Sequence, residues 1–443
     1  MTKNQILRVA ALLVVFICLV MLLSSIFRFE DSQSSARYTT YFNLPKNTVD
    51  VLLTGTSGID RYWIAAKGYE EYGITAYPLS FDAMPAWLMV DIIKEALETQ
   101  NPELLIFDMR GFTVTYTDQL HKYESPIHRT IDVMSPVSVN RFNAATKSAK
   151  IVGERVGWAN FSALSFYLPF IKYHTRWSTP GFSIEAMQLE PSKYLGMFLE
   201  AGRSLAEIPL PQTEKTDEMI ALDPTCEEAL YELLAYLDGV DCEVLFLDTP
   251  KYLEETEYGR MNTLCNILDE RGYKYKCFSA EDGTYNLYTD FYNLTHVNYK
   301  GAEKFTKVFA EYLKENYTLP DRREDKACEK DWNGVYEKIL KKYESWVKKA
   351  NTERLEAELR SENGASVISW AIPSPFDGYV IYRSEELEGE YAEIQIIEDG
   401  RASSYTDLTA EDGKMYYYMV RPFTRNDDSI EYGNYFEVKR AEP

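Results

Sequence analysis

Histidine is scarce in this chain: His121, His128, His174 and His296 are the four among 443 residues. A serine nucleophile working near neutral pH needs a base of matching pKa, which is nearly always histidine. Any such site therefore rests on one of four positions. Basic residues are also few, 47 Lys and Arg against 69 Asp and Glu, for a formal net charge of -22. Such a field repels nucleic acid, so no DNA or RNA partner is expected. The six cysteines (Cys18, Cys226, Cys242, Cys265, Cys277 and Cys328) form no Cys-x-x-Cys pair, which argues against zinc-ribbon and thioredoxin-like chemistry. No Gly-Lys-Ser/Thr follows the small-residue turn at Gly55–Gly58, which argues against a phosphate loop. Neither a metal nor a cofactor is expected.

Long apolar runs are equally rare. There is one, Val9 to Phe27, and it carries no charge. At ~1.5 Å per residue it spans roughly 28 Å, about one bilayer hydrocarbon core. Lys3 and Arg8 precede it, and Arg28, Glu30 and Asp31 follow. The positive-inside bias places the N-terminus in the cytoplasm and the bulk of the chain outside. A cleaved signal peptide is the rival reading, but the run is long for one and no small-x-small cleavage site follows directly. The expected organisation is a membrane anchor over 1–30 and a polar, Ser-rich tether over 31–47. An outside location permits disulfides, although five cysteines remain beyond the anchor and buried free thiols stay open. Of the 34 tyrosines, most suit strands and cores, while some suit a wet sugar surface.

From Val49 the pattern alternates strand and helix. "VDVLL" (Val49–Leu53), "GITAYPLSF" (Gly73–Phe81), "ELLIFDMRG" (Glu103–Gly111), "CEVLFLDTP" (Cys242–Pro250) and "YKYKCFS" (Tyr273–Ser279) are strands. Helices are expected at Pro85–Gln100, Cys226–Gly239 and near Glu257–Arg271. Apolar strands alternating with helices predict an α/β domain over 48–320, a parallel sheet between helical layers. Ligands in such sheets bind at the C-terminal ends of strands, where the Gly55–Gly58 turn lies. Residues 112–221 break the alternation and read as an insertion packed over the sheet, including the aromatic stretch Asn160–Trp177. An amphipathic connector helix is expected within 321–351, with Trp332, Val335, Tyr336, Ile339, Tyr343 and Trp346 at helical spacing. The remainder, 352–443, holds short alternating strands, an all-β sandwich pattern. Trp370, "GYVIYR" (Gly378–Arg383), "SYTD" (Ser404–Asp407) and "YYYMVRPF" from Tyr416 resemble a fibronectin type III domain.

His296 sits in "DFYNLTHVNYKGAEKF" (Asp290–Phe305), a polar aromatic loop running straight into a helix. That is a suitable place for a base aimed at a nucleophile on a strand end. "LLTGTSGID" near the start of the α/β region, with this block near its end, resembles the SGNH/GDSL hydrolase superfamily, in particular its membrane-anchored, DltD-like and acyltransferase-like branch. "YHTRW" (Tyr173–Trp177) resembles a segment of related clostridial-type sequences, and a Gram-positive cell membrane is the implied location. The resemblance covers about Thr48–Tyr317. It implies the flavodoxin-like three-layer fold of that superfamily, Ser57 as nucleophile and His296 as base. Its usual aspartate three residues before the histidine is Asn293 here, an amide that can orient the ring without a full charge. Asp290 is an alternative acid at the wrong offset. No Gly-x-Asn-Asp block follows the third strand. "FDMRGF" stands there, so Gly55, Ser80, Asp82 and Arg110 are the oxyanion or pocket candidates, with Asp108 and Arg110 also readable as strand-end structure.

The implied activity is a membrane-anchored extracytoplasmic esterase or O-acyltransferase acting on acyl esters of a cell-surface polysaccharide or teichoic-acid-like polymer. A polytopic membrane O-acyltransferase is a conceivable acyl-donor partner on family analogy. The alternative, motivated by Asn293, is a non-catalytic glycan-binding or envelope-assembly protein with a degenerate site and an adhesive β-sandwich.

Overall fold

A computed structural model of the chain describes residues 2–29, 31–116, 124–155, 163–179, 190–199, 210–285, 287, 290–352, 357–362, 365–371, 376–387, 389–411, 414–426, 429–433 and 439–441. His121 and residues 160–162 of the aromatic stretch lie outside them.

The N-terminal run forms one helix, Lys3–Ile26 (α1), long and apolar enough to cross a membrane. The stretch expected as a tether is itself a helix, Ser32–Asn43 (α2). Asp31 caps it, accepting from the amides of Gln33 and Ser34 at 3.1 and 3.2 Å. Tyr38, Tyr41 and the following Leu44 are buried at helical spacing, which fixes the helix on the domain despite its polar composition.

Five strands make a parallel sheet: Val51–Gly55 (β1), Ala76–Ser80 (β2), Leu104–Asp108 (β3), Glu243–Asp248 (β4) and Lys274–Cys277 (β5), in the order β2-β1-β3-β4-β5. Every residue of β1, β2 and β3 is buried, as an apolar run covered on both faces requires. Pro78 is tolerated because β2 is an edge strand. The helices between strands are Ser57–Asp60 (α3), Ala65–Tyr72 (α4), Met89–Ala96 (α5) and Arg110–Thr113 (α6). The insertion adds Glu124–Ile131 (α7), Val139–Arg155 (α8), Ala163–Tyr167 (α9) and Phe170–Tyr173 (α10). Lys147 of α8 ties it to α5, bonding Trp87 O and Asp91 at 3.0 Å. Pro224–Leu237 (α11), Glu255–Arg271 (α12) and Tyr299–Asn316 (α13) complete the α/β part, with a short antiparallel pair, Phe291–Asn293 (β6) and His296–Val297 (β7), just before α13.

The connector is two helices, Lys326–Trp332 (α14) and Val335–Thr352 (α15). Gly334, at φ +68°, breaks the expected single helix. Trp332, Tyr336, Ile339 and Tyr343 are buried in the α/β core. Beyond it, eight strands (Ala357–Glu362, Ala365–Trp370, Gly378–Ser384, Ala392–Ile397, Ser404–Asp407, Tyr416–Asn426, Ser429–Tyr432 and Lys439–Ala441; β8 to β15) form two antiparallel sheets. Their shared core holds Ile368, Trp370, Tyr379, Ile381, Tyr418 and Val420. Lys300 of α13 reaches Asp377 at 3.1 Å, joining the α/β part to the β part.

Candidate active site

The turn after β1 is held from below by β3. Gly55 has φ +149°, and a Cβ there would lie 2.2 Å from the Asp108 Cβ, so no larger residue fits. The Asp108 carboxylate accepts the Thr56 amide at 3.0 Å, the Thr56 hydroxyl, and the Arg110 amide at 3.1 Å. Thr56 in turn caps α3, its Oγ1 accepting the Gly58 amide at 3.2 Å. This brace leaves Ser57 as the first residue of α3, at the C-terminal end of β1. Its amide has no hydrogen-bond partner among the described residues.

His296 reaches this point from β7. Asn293 and His296 face each other across the β6–β7 pair. Asn298 caps α13 immediately afterwards, its Oδ1 accepting the Lys300 and Gly301 amides. The imidazole is thus fixed between a tight hairpin and a helix start. Ser57 Oγ donates to His296 Nε2 at 2.7 Å. On the other side His296 Nδ1 donates to Asn293 Oδ1 at 3.1 Å. Asn293 Oδ1 also accepts the Thr295 amide at 2.9 Å and the Thr295 hydroxyl at 3.2 Å. The acceptor at Nδ1 selects the tautomer that leaves Nε2 free to receive the serine proton. The Tyr292 ring stacks on the imidazole, 5.4 Å between centroids and 8° between planes.

Cations surround the base. Arg61 donates to the Tyr292 hydroxyl, pairs with Asp82 at 2.7 Å and lies 3.9 Å over the Phe198 ring. Lys251 is buried and paired with Asp248 at the end of β4. Arg110 is buried, its Nη2 making one long bond to Thr249 Oγ1 at 3.4 Å, and it has no ion pair among the described residues. Burial first, then the charges of Arg110, Arg61 and Lys251, hold the His296 pKa well below its ordinary value. The imidazole is therefore neutral, the form that accepts a proton.

Ser57, His296 and Asn293, 239 residues apart along the chain at the extremes of the serine–histidine pair, come together. Gly55 lies beneath them. Ser80 does not line the site: it is fully buried, its hydroxyl bonds Asp60 at 2.9 Å, and its carbonyl takes Arg37. The Phe81 amide is consumed by Gly55 O at 3.0 Å, while those of Asp82 and Ala83 have no partner among the described residues. Asp82 acts on the site through Arg61. Asp290 pairs with Lys304 at 2.6 Å, and His296 Nδ1 bonds Asn293 and Thr295 instead. His128 is buried against Asp132 and Ser165. His174 is exposed, against the carbonyls of Phe170 and Ile171. Arg61, Tyr292, Thr295 and Lys251 were not among the sequence candidates. Arg61 stands four residues after Ser57, one helical turn on, and Lys251 follows a strand end. Both spacings carry the signal. Beside Arg61, a cavity of about 440 Å³ is lined by Phe29, Asp31, Arg37, Asp82, Arg129 and Phe198, among others. Among the described residues no group of His, Cys, Asp and Glu could hold a metal ion.

No protein-family model and no curated protein matches the chain. Among solved structures, an Fn3-like protein from Clostridium thermocellum matches at 23% identity over 19% of this chain and 83% of its own, TM-score 0.17. Pectate lyase Pel3 from Pectobacterium carotovorum matches at 19% identity, TM-score 0.18, over 20% of this chain and only 27% of its own length. A gut microbial diltiazem-metabolizing enzyme matches at 8% identity over 80% of this chain and 62% of its own, TM-score 0.27. Scores this low carry no functional argument.

Proposed function

We propose that the chain is a membrane-anchored, extracytoplasmic serine esterase or O-acyltransferase of SGNH type, working on acyl esters of a cell-surface glycan or teichoic-acid-like polymer. The observation that carries this reading is the Ser57–His296–Asn293 line, with hydrogen bonds of 2.7 and 3.1 Å at the C-terminal edge of a parallel sheet. The strand order 2-1-3-4-5 is that of flavodoxin-like sheets, which supports the three-layer fold of the superfamily. The β-rich C-terminal part is a fibronectin type III-like spacer or binding module in this reading.

His296 Nε2 removes the Ser57 proton as Oγ bonds the ester carbonyl carbon. The carbonyl oxygen becomes an oxyanion, for which the Ser57 amide, the amides of Asp82 and Ala83 and the Arg110 guanidinium, which makes no direct ion pair among the described residues, are the candidate donors. Collapse breaks the bond to the leaving alcohol, which takes the proton from His296. Water or an acceptor hydroxyl, deprotonated by the same imidazole, then attacks the acyl-serine and releases Ser57. The polymer acceptor and a polytopic acyl-donor partner rest on family analogy.

A fluorophosphonate probe is expected to label the full-length protein at Ser57, and Ser57→Ala to abolish labelling. Labelling that persists in Ser57→Ala overturns the assignment of the nucleophile. Absence of labelling and of ester turnover in the intact chain would favour a glycan-binding role for a degenerate site.

A further inference from the structure

Large apolar side chains on the surface of the α/β part are concentrated in one place. Between residues 48 and 320 the exposed ones among the described residues are Val137, Val139, Phe142, Leu164, Trp177, Met219 and Tyr231. Six of the seven fall in the insertion, and five of these, Val137 to Trp177, lie within its helical stretch 124–179, each between 58% and 72% exposed. Scattered single apolar residues need no explanation, but such a cluster does.

The segments that carry them are tied to the point where α1 enters the domain. The last turns of α1, from Val20, are partly covered by the protein, and α10 packs against them. Beyond α1 the Phe29 amide donates to Asp132 at 3.1 Å, the Phe29 ring meets Tyr173 edge-on at 6.2 Å, and Arg176 donates to Arg28 O at 2.6 Å. Trp177 is the next residue. Asp132 also approaches Arg141 at 3.7 Å. Arg141 donates to the Tyr167 and Phe166 carbonyls of α9, and Phe142 packs on the Tyr167 ring at 5.4 Å. Val139 starts the same helix as Phe142, and Val137 stands two residues before it. A short chain of direct contacts thus joins the C-terminal end of α1 to the start of α8 and to the C-terminal ends of α9 and α10.

We propose that this face is seated in the interfacial layer of the lipid bilayer. The inference rests on the reading of α1 as a membrane span. The apolar run Val9–Phe27, roughly 28 Å at ~1.5 Å per residue, fills about one hydrocarbon core, and Arg28 follows it at once. The C-terminal end of α1 therefore marks the outer boundary of the core, and what packs on that end lies next to the interface. α10 does so, and the face continuous with it presents Val137, Val139, Phe142, Leu164 and Trp177. Trp at the headgroup level is the usual arrangement. The domain is held down by α1 and by this second, non-spanning contact, which sets the Ser57–His296 site at a constant height above the membrane.

The test uses the intact full-length protein in phosphatidylcholine nanodiscs that contain a phosphatidylcholine with a diazirine in its acyl chain. After illumination, lipid adducts are mapped by peptide mass spectrometry. Adducts are expected in α1 and also on peptides holding Val137–Phe142, Leu164 and Trp177, with none on the peptide holding Leu408, which is apolar and even more exposed. Adducts confined to α1 overturn the proposal and leave the anchor standing. Adducts nowhere, α1 included, remove the anchor and the proposal together. Adducts at Leu408 as heavy as at Trp177 mean nonspecific labelling of exposed apolar residues and also count against it.

Discussion

Replacing Asn293 by aspartate tests the chemistry of the site most directly. Asn293 Oδ1 already accepts three hydrogen bonds, from His296 Nδ1, the Thr295 amide and the Thr295 hydroxyl. An aspartate oxygen accepts the same three. Asn293 is only half-buried, and its Nδ2 has no hydrogen bond among the described residues, so the second carboxylate oxygen keeps access to water. The desolvation cost is small and the substitution adds a charge without disturbing the geometry. A carboxylate within ~4–6 Å of a titrating group favours its charged form by about 1–3 pKa units, or about 1.4–4 kcal/mol of imidazolium stabilisation. In the proposed mechanism the imidazolium forms as Ser57 attacks, so part of this energy lowers the barrier, for an expected gain of roughly tenfold to a hundredfold in kcat/KM. The same charge opposes the burial and the cations that hold the His296 pKa down. Because activity needs the neutral imidazole, the acid limb of the pH profile moves to higher pH by about 1–3 units. The assay is kcat/KM for p-nitrophenyl acetate across about pH 4 to 9. A folded Asn293→Asp protein whose acid limb stays in place, or whose kcat/KM is unchanged at its plateau, refutes this account of His296 as the base.

The remaining predictions concern the supports of the site. Arg61→Gln removes one of the cations near His296 and the donor to Tyr292; the acid limb is expected to shift upward, towards the ordinary histidine range, with a lower plateau, and an unmoved limb counts against the electrostatic coupling. Gly55→Ala forces a Cβ to 2.2 Å from the Asp108 Cβ at positive φ, and is expected to cost about 2–5 kcal/mol. Calorimetry would register that as a Tm lower by several degrees, together with loss of probe labelling at Ser57. An unchanged Tm would mean that the β1 turn can open away from β3.

Much of this arrangement was legible because the chemistry is restrictive. With four histidines in the chain, a serine on a strand end has few partners, and the polar loop before an amphipathic helix marked His296. The buried strands β1, β3 and β4 were legible because they are apolar runs bounded by turn residues. The helix α2 was not. Its Ser- and Thr-rich composition hides the Tyr38–Tyr41 spacing, and its stability comes from tertiary burial and from Arg37, which bonds Asp60, Gly196 O and Ser80 O. Those partners are far away in sequence, so no local pattern announces them. The break at Gly334 was missed for the opposite reason: the apolar spacing continues across it in register.

The cations around His296 were invisible for a deeper reason. Arg61, Arg110 and Lys251 stand on three different segments of a chain whose net charge is -22, and only the parallel sheet brings its strand ends together. Two of them are neutralised locally, Arg61 by Asp82 and Lys251 by Asp248. Arg110 makes no direct ion pair among the described residues; burial opposes its charge, while Tyr62, Asp108 and Asp248 favour it. Its guanidinium is in this way kept charged without a carboxylate bonded to it, and in the proposed mechanism it faces the oxyanion on the ester carbonyl.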